Sequence, residues 1–102
     1  MVTVTYDGRG SLRITGHAGQ GPAGHDLVCA AVSALTETLA LGFTDVVPGG
    51  IRCRVETGRA EFRWEHLTTA QQAVLDTIVT GLRDLAASHG SFVRFVEPTA
   101  RR

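Results

Sequence analysis

One hundred and two residues are enough for one domain and too few for two, since single domains run to about 100–150 residues. The chain is 43% hydrophobic and 20% charged, which excludes a disordered protein. Ten arginines and no lysine face ten carboxylates, so the net charge is zero. Lysine chemistry is excluded outright, and the balance argues against a partner held by bulk electrostatics, whether nucleic acid or membrane. No run is expected to reach the roughly 18 apolar residues of a membrane span. The first seven residues alternate Val and Thr and lack a signal-peptide pattern. A cytoplasmic protein is therefore expected, with Cys29 and Cys53 as reduced thiols.

The elements follow in chain order. Val2, Val4 and Tyr6 alternate with Thr3, Thr5 and Asp7, the period of a strand. A turn at Asp7-Gly8-Arg9-Gly10 leads to Leu12 and Ile14, so the first two strands form a hairpin. Residues 16–24 hold four glycines and a proline and are expected to form a mobile loop. Asp26 is a candidate N-cap for a helix whose apolar stripe is Val28, Val32, Leu35, Leu39, Phe43 and Val46. Ala30, Ala31 and Ala34 let another backbone approach that helix. Pro48-Gly49-Gly50 ends it.

A second hairpin follows, with Ile51, Cys53 and Val55 on one strand and Ala60, Phe62 and Trp64 on the other. Thr68-Gln71 and Thr69-Gln72 offer two overlapping capping boxes. They open a helix with the stripe Val74, Ile78, Leu82 and Leu85, closed by Gly90. Residues 91–97 form the last strand. The order β-β-α-β-β-α-β predicts an α+β fold of two layers, a mostly antiparallel sheet with two helices on one face. The sheet's other face is expected to stay partly apolar near Trp64 and Phe92, which points to a homodimer.

Three groups of residues could carry chemistry. Gly19-Gln20-Gly21-Pro22-Ala23-Gly24 spells the dinucleotide fingerprint, and Asp45 lies about 20 residues on, where that fold wants an acid. The reading fails because Asp45 falls near the end of the helix and not on a second parallel strand. A zinc site from His17, His25 and Cys29 would need Cys53, His66 or His89 as its fourth ligand, none at motif spacing. No metal and no cofactor is expected. The third group is Cys29 with His17. With Asp26 as N-cap, Cys29 sits in the first helical turn, where unpaired amides and the dipole favour a thiolate. From spacing alone, a nucleophile and a small buried hydrophobe are equally good readings of Cys29.

The words of the sequence go further. Gly16-His17-Ala18, a glycine-rich loop, then Asp26-Leu27-Val28-Cys29-Ala30-Ala31-Val32-Ser33-Ala34-Leu35 resembles the ribosomal-processing cysteine protease family, Prp. The resemblance implies a protease domain over residues 1–102. It implies Cys29 as nucleophile, His17 as general base and Asp26 as a third member or N-cap. Gly16, Gly21, Gly24 and Ser33 are then the expected substrate contacts. The implied partners are a second copy of the chain and a ribosomal or other protein with an extended N-terminal segment, cut after an aromatic residue and before a small one. Neither membrane nor direct nucleic-acid binding is expected. His25, immediately before the expected helix, is a rival base whose backbone should aim outward. The rival functions are a non-catalytic peptide-binding dimer of the same fold and an RNA-binding assembly factor, the latter disfavoured by zero net charge.

Overall fold

A computed structural model describes residues 1–16 and 25–97, with His25 and Asp26 as backbone only. Its elements run β1 (Val2–Tyr6), β2 (Ser11–Thr15), α1 (His25–Leu41), β3 (Ile51–Glu56), β4 (Arg59–Trp64), α2 (Thr69–Ser88) and β5 (Val93–Val96). The expected order is observed. The strands form one sheet in the order β3-β4-β2-β1-β5. Every pairing is antiparallel except β1 with β5, where Val2 to Thr5 run beside Val93 to Val96.

Strand alternation builds the core. Val2, Val4, Leu12, Ile14, Ala60, Phe62 and Val93 all point to the helix side and are buried. From α1 come Val28, Cys29, Val32 and Leu39, and from α2 come Leu75, Ile78, Val79 and Leu82. Burying each large aliphatic or aromatic side chain stabilises the fold by about 1.5–3 kcal/mol. Phe43 meets Phe62 edge to face, with ring centroids 6.1 Å apart. Arg83 of α2 lies over the rings of Phe95 and Tyr6 and pairs with Glu97, which holds β5 against the helix.

Of the two possible capping boxes the chain uses the first. Thr68 accepts from the Gln71 amide at 3.0 Å, and the Gln71 side chain accepts from the Thr68 amide at 3.0 Å. Gln71 is buried, and its Nε2 donates to the carbonyls of Val47 and Gly49 at 2.9 and 2.8 Å. One side chain thus caps α2 and fastens the turn that delivers β3.

Four expectations are corrected. First, α1 includes His25 and Asp26, so Asp26 is inside the first turn and Cys29 is the fifth helical residue. His25 and Cys29 are then on the same helix. Second, Val46 leaves the apolar stripe and is 71% exposed. Gly42–Val46 forms a π-helical turn, with the Val47 amide donating to the Gly42 carbonyl at 2.8 Å, and the wider turn rotates Val46 outward. Third, Leu27–Val46 does have the length and hydropathy of a membrane span, at a mean hydropathy of 1.6. Its inner side (Val28, Val32, Leu39 and Phe43) is nonetheless packed in the core.

Fourth, the open face of the sheet is not apolar. Trp64 shares the helix side with Ala60 and Phe62, and Phe92 packs against the same core. The open face carries Thr3, Thr5, Ser11, Arg13 and Thr15, joined by Arg52, Arg54, Glu56, Arg59, Glu61, Arg63 and Arg94, with Val96 as its one apolar residue among the described strand positions.

Candidate functional site

A cleft of about 560 Å³ opens where the middle of α1, Cys29 to Glu37, meets one end of the sheet. Its floor is Val2, Ile14, Val55 and Ala60, inward-facing residues of four strands. Cys29, Val32, Ser33, Thr36 and Glu37 form one wall. They fall on one side of α1 because helical positions three and four apart share a face. The β3–β4 turn, Glu56 to Arg59, forms the opposite rim.

Gly16 completes the cleft. Its amide donates to the Gly58 carbonyl at 3.0 Å, tying the end of β2 to the β3–β4 turn. Gly16 has φ +127°, and an added Cβ would come within 2.9 Å of the Val2 Cα. Only glycine fits there without displacing the N-terminal strand. The chain therefore leaves the sheet at the rim of the cleft that holds Cys29, and the next residue is His17.

The two thiols differ in setting. Cys29 is 1% exposed on the inner side of α1, and Cys53 is half-buried on β3. Burial pushes the Cys53 thiol up, which disfavours its thiolate. Thr36 donates its hydroxyl to the Val32 carbonyl at 2.7 Å, so it is satisfied by its own helix. Glu37 is exposed and makes no ion pair among the described residues. Among the described residues no three His, Cys, Asp or Glu side chains converge as a metal site would require.

The structure brings together three of the residues singled out from sequence, Gly16, Cys29 and Ser33. His17, Gly21 and Gly24 lie outside the described residues, as does the Asp26 side chain. His66 borders a second hollow at the other end of the β3–β4 hairpin, beside Trp64 and Arg63, and does not line the cleft that holds Cys29. The sequence reading missed Thr36, Glu37 and the β3–β4 turn. The helical spacing from Cys29 carried a signal for the first two. The turn had none, because its place depends on the pairing of β2 with β4.

Comparison with known proteins follows the same lines. The family model of the cysteine protease Prp matches residues 1–94. The crystal structure of the Staphylococcus aureus ribosomal processing protease Prp with a covalently linked product peptide superposes with a TM-score of 0.82. It is 22% identical, over 95% of this chain and 99% of that one. The same enzyme with a substrate peptide gives 0.75 at 19% identity, over 94% and 96% of the two chains. SMU.848 from Streptococcus mutans gives 0.72 at 27% identity, over 95% of each chain. No curated protein matches the sequence. With the family match running from β1 into the start of β5, and Cys29 in the cleft, the chain belongs to the cysteine protease Prp family.

Proposed function

We propose that this protein is a cysteine endopeptidase that trims an N-terminal segment from a ribosomal protein in the cytoplasm. The observation that carries the proposal is the shared cleft: Cys29 lines it from α1, and Gly16, the residue before His17, lines it just past the end of β2. In the reaction His17 takes the proton from Cys29 Sγ, and the thiolate attacks the scissile carbonyl carbon. The Cα–Cβ bond of Cys29 tilts toward the start of α1, where the first-turn amides lack helical acceptors. Those amides stabilise the oxyanion. The C–N bond then breaks, His17 returns the proton to the leaving amine, and a thioester remains. Water, deprotonated by His17, attacks that thioester and releases the new C-terminal carboxylate and the thiol.

The relatives support a peptide substrate, since S. aureus Prp is crystallised with substrate and product peptides. The cleft's apolar floor suits an apolar side chain beside the cut bond, and its open rim suits an extended chain. A peptide with Phe-Ala at its centre tests the reading. The protein should cut it between those residues, Cys29→Ala should not, and no cut at all by the unaltered protein would sink the proposal.

Homodimerisation is proposed on a different surface from the one expected. Leu27, Ala30, Ala34, Thr38 and Leu41 form an exposed stripe along the outer side of α1, with Leu27 76% and Leu41 58% exposed. Light scattering should give twice the chain mass, and Ala34→Glu should halve it. A chain mass equal to one copy at micromolar concentration would reject the dimer.

One observation favours the non-catalytic alternative. A cysteine 1% exposed is also what an inert packing residue looks like. In that reading the same cleft holds a peptide without cutting it. The two separate on the chemistry of Cys29, because a packed thiol does not alkylate at neutral pH.

A further inference from the structure

The neutral total charge hides a strong division between the two layers. Six of the ten arginines (Arg13, Arg52, Arg54, Arg59, Arg63 and Arg94) lie on the open face of the sheet, with two glutamates. That face carries an excess of four positive charges. The helical layer carries Asp26, Glu37, Asp45, Asp76 and Asp84 against the single Arg83.

The arginines are available. All six are exposed. The two glutamates engage their own neighbours, Glu56 with Arg54 at 2.8 Å and Glu61 with Arg63 at 3.1 Å. Arg13, Arg52, Arg59 and Arg94 make no ion pair among the described residues. Arg52 also stands directly opposite Arg63 across the β3–β4 pair. Like charges in that position destabilise a sheet. Glu61 stands opposite Arg13 and Arg54, and Glu56 opposite Arg59, yet two glutamates against six arginines leave the face cationic, which calls for an anionic partner.

We propose that the open face of the sheet binds the phosphate backbone of RNA. The hydroxyls of Thr3, Thr5, Ser11 and Thr15 lie among the arginines and add phosphate donors. Among the described residues no aromatic side chain sits on this face, because Tyr6, Phe62, Trp64 and Phe95 all turn to the helix side. Base stacking is therefore absent and the binding is independent of sequence. Val96 alone among the described strand residues here is apolar, too little for a membrane to bury. A second copy is repelled, since two such faces would oppose like charges. Choosing RNA over DNA rests on the ribosomal-processing reading above.

The test is equilibrium binding of the full chain carrying Cys29→Ala to a fluorescent 20-nucleotide single-stranded RNA, followed by anisotropy between 50 and 200 mM salt. No cleavage is read, so failure here and failure of the protease reading are distinct. With four unpaired arginines on four phosphates, log Kd against log salt should have a slope of magnitude about 3, at ~0.7 per phosphate. Arg13→Gln and Arg52→Gln should each weaken binding several-fold and take about 0.7 from that slope. Arg83→Gln makes the same charge change on the other layer and should leave the slope alone. Arg52→Gln removes a repulsion, so its melting temperature should not fall. Absence of RNA binding at 50 mM salt would overturn the proposal, as would affinity unchanged in the Arg13→Gln/Arg52→Gln double variant. Tighter binding to DNA of the same sequence, or to vesicles of 30% phosphatidylserine, would assign the face to a different partner and overturn it equally.

Discussion

The Gly16 amide donates to the Gly58 carbonyl at 3.0 Å, and this contact joins two segments 42 positions apart at the rim of one cleft. It ties the end of β2 to the β3–β4 turn. Gly16→Ala meets two penalties together, a φ of +127° and a Cβ within 2.9 Å of the Val2 Cα. Urea denaturation should show a loss of about 2–4 kcal/mol, within the range of strained and overpacked sites. Cleavage of the Phe-Ala peptide should fall with it at temperatures where the variant is folded. Unchanged stability would mean that β1 and β2 do not approach as described.

His17 and His25 separate by substitution. Because α1 begins at His25, that residue shares the helix with Cys29 and is the rival base to be tested. The account assigns the base to His17. His17→Ala should lower kcat by about 10²–10⁴, the usual worth of a general base. His25→Ala should change it only a few-fold. The reverse order, measured on the same peptide, would transfer the role to His25.

Gln71 tests the frame behind the cleft. Its side chain donates to the Val47 and Gly49 carbonyls and accepts from the Thr68 amide. Gln71→Ala removes the capping box and both clamp bonds and should cost about 1–2 kcal/mol in chemical denaturation. Gln71→Glu keeps the acceptor and loses the donor, and should cost more than a surface substitution does. A cost within 0.5 kcal/mol for either variant, the range of ordinary surface changes, would contradict the clamp.

Much of this architecture was legible in the sequence, and the reasons for the rest are physical. Strand alternation and helical stripes are local, so β1 to β5 and both helices could be read from neighbours alone. The Cys29–Ser33 spacing placed both residues on one side of α1 in the same way. The charged face could not be counted from composition, because ten arginines cancel ten acids until the register of four strand pairs puts six arginines on one surface. Trp64 was set on the wrong face, although its alternation with Ala60 and Phe62 already tied it to the core side. The start of α1 was misplaced because Asp26 is a good N-cap in sequence yet sits within the helix. The π-helical turn at Gly42–Val46 broke a regular stripe that nothing local opposed.

Alkylation tests the central claim most directly. Exposure and chemistry predict opposite orders for the two thiols. Cys53 is the more exposed, and Cys29 is 1% exposed but proposed as the activated nucleophile. The protein is treated with iodoacetamide at pH 6.5, sampled over time and peptide-mapped, with cleavage of the Phe-Ala peptide followed in the same samples. The account predicts that Cys29 is modified first and that cleavage activity disappears in step with it. Modification of Cys53 first, with Cys29 untouched, or activity persisting after Cys29 is alkylated, would contradict the cysteine mechanism.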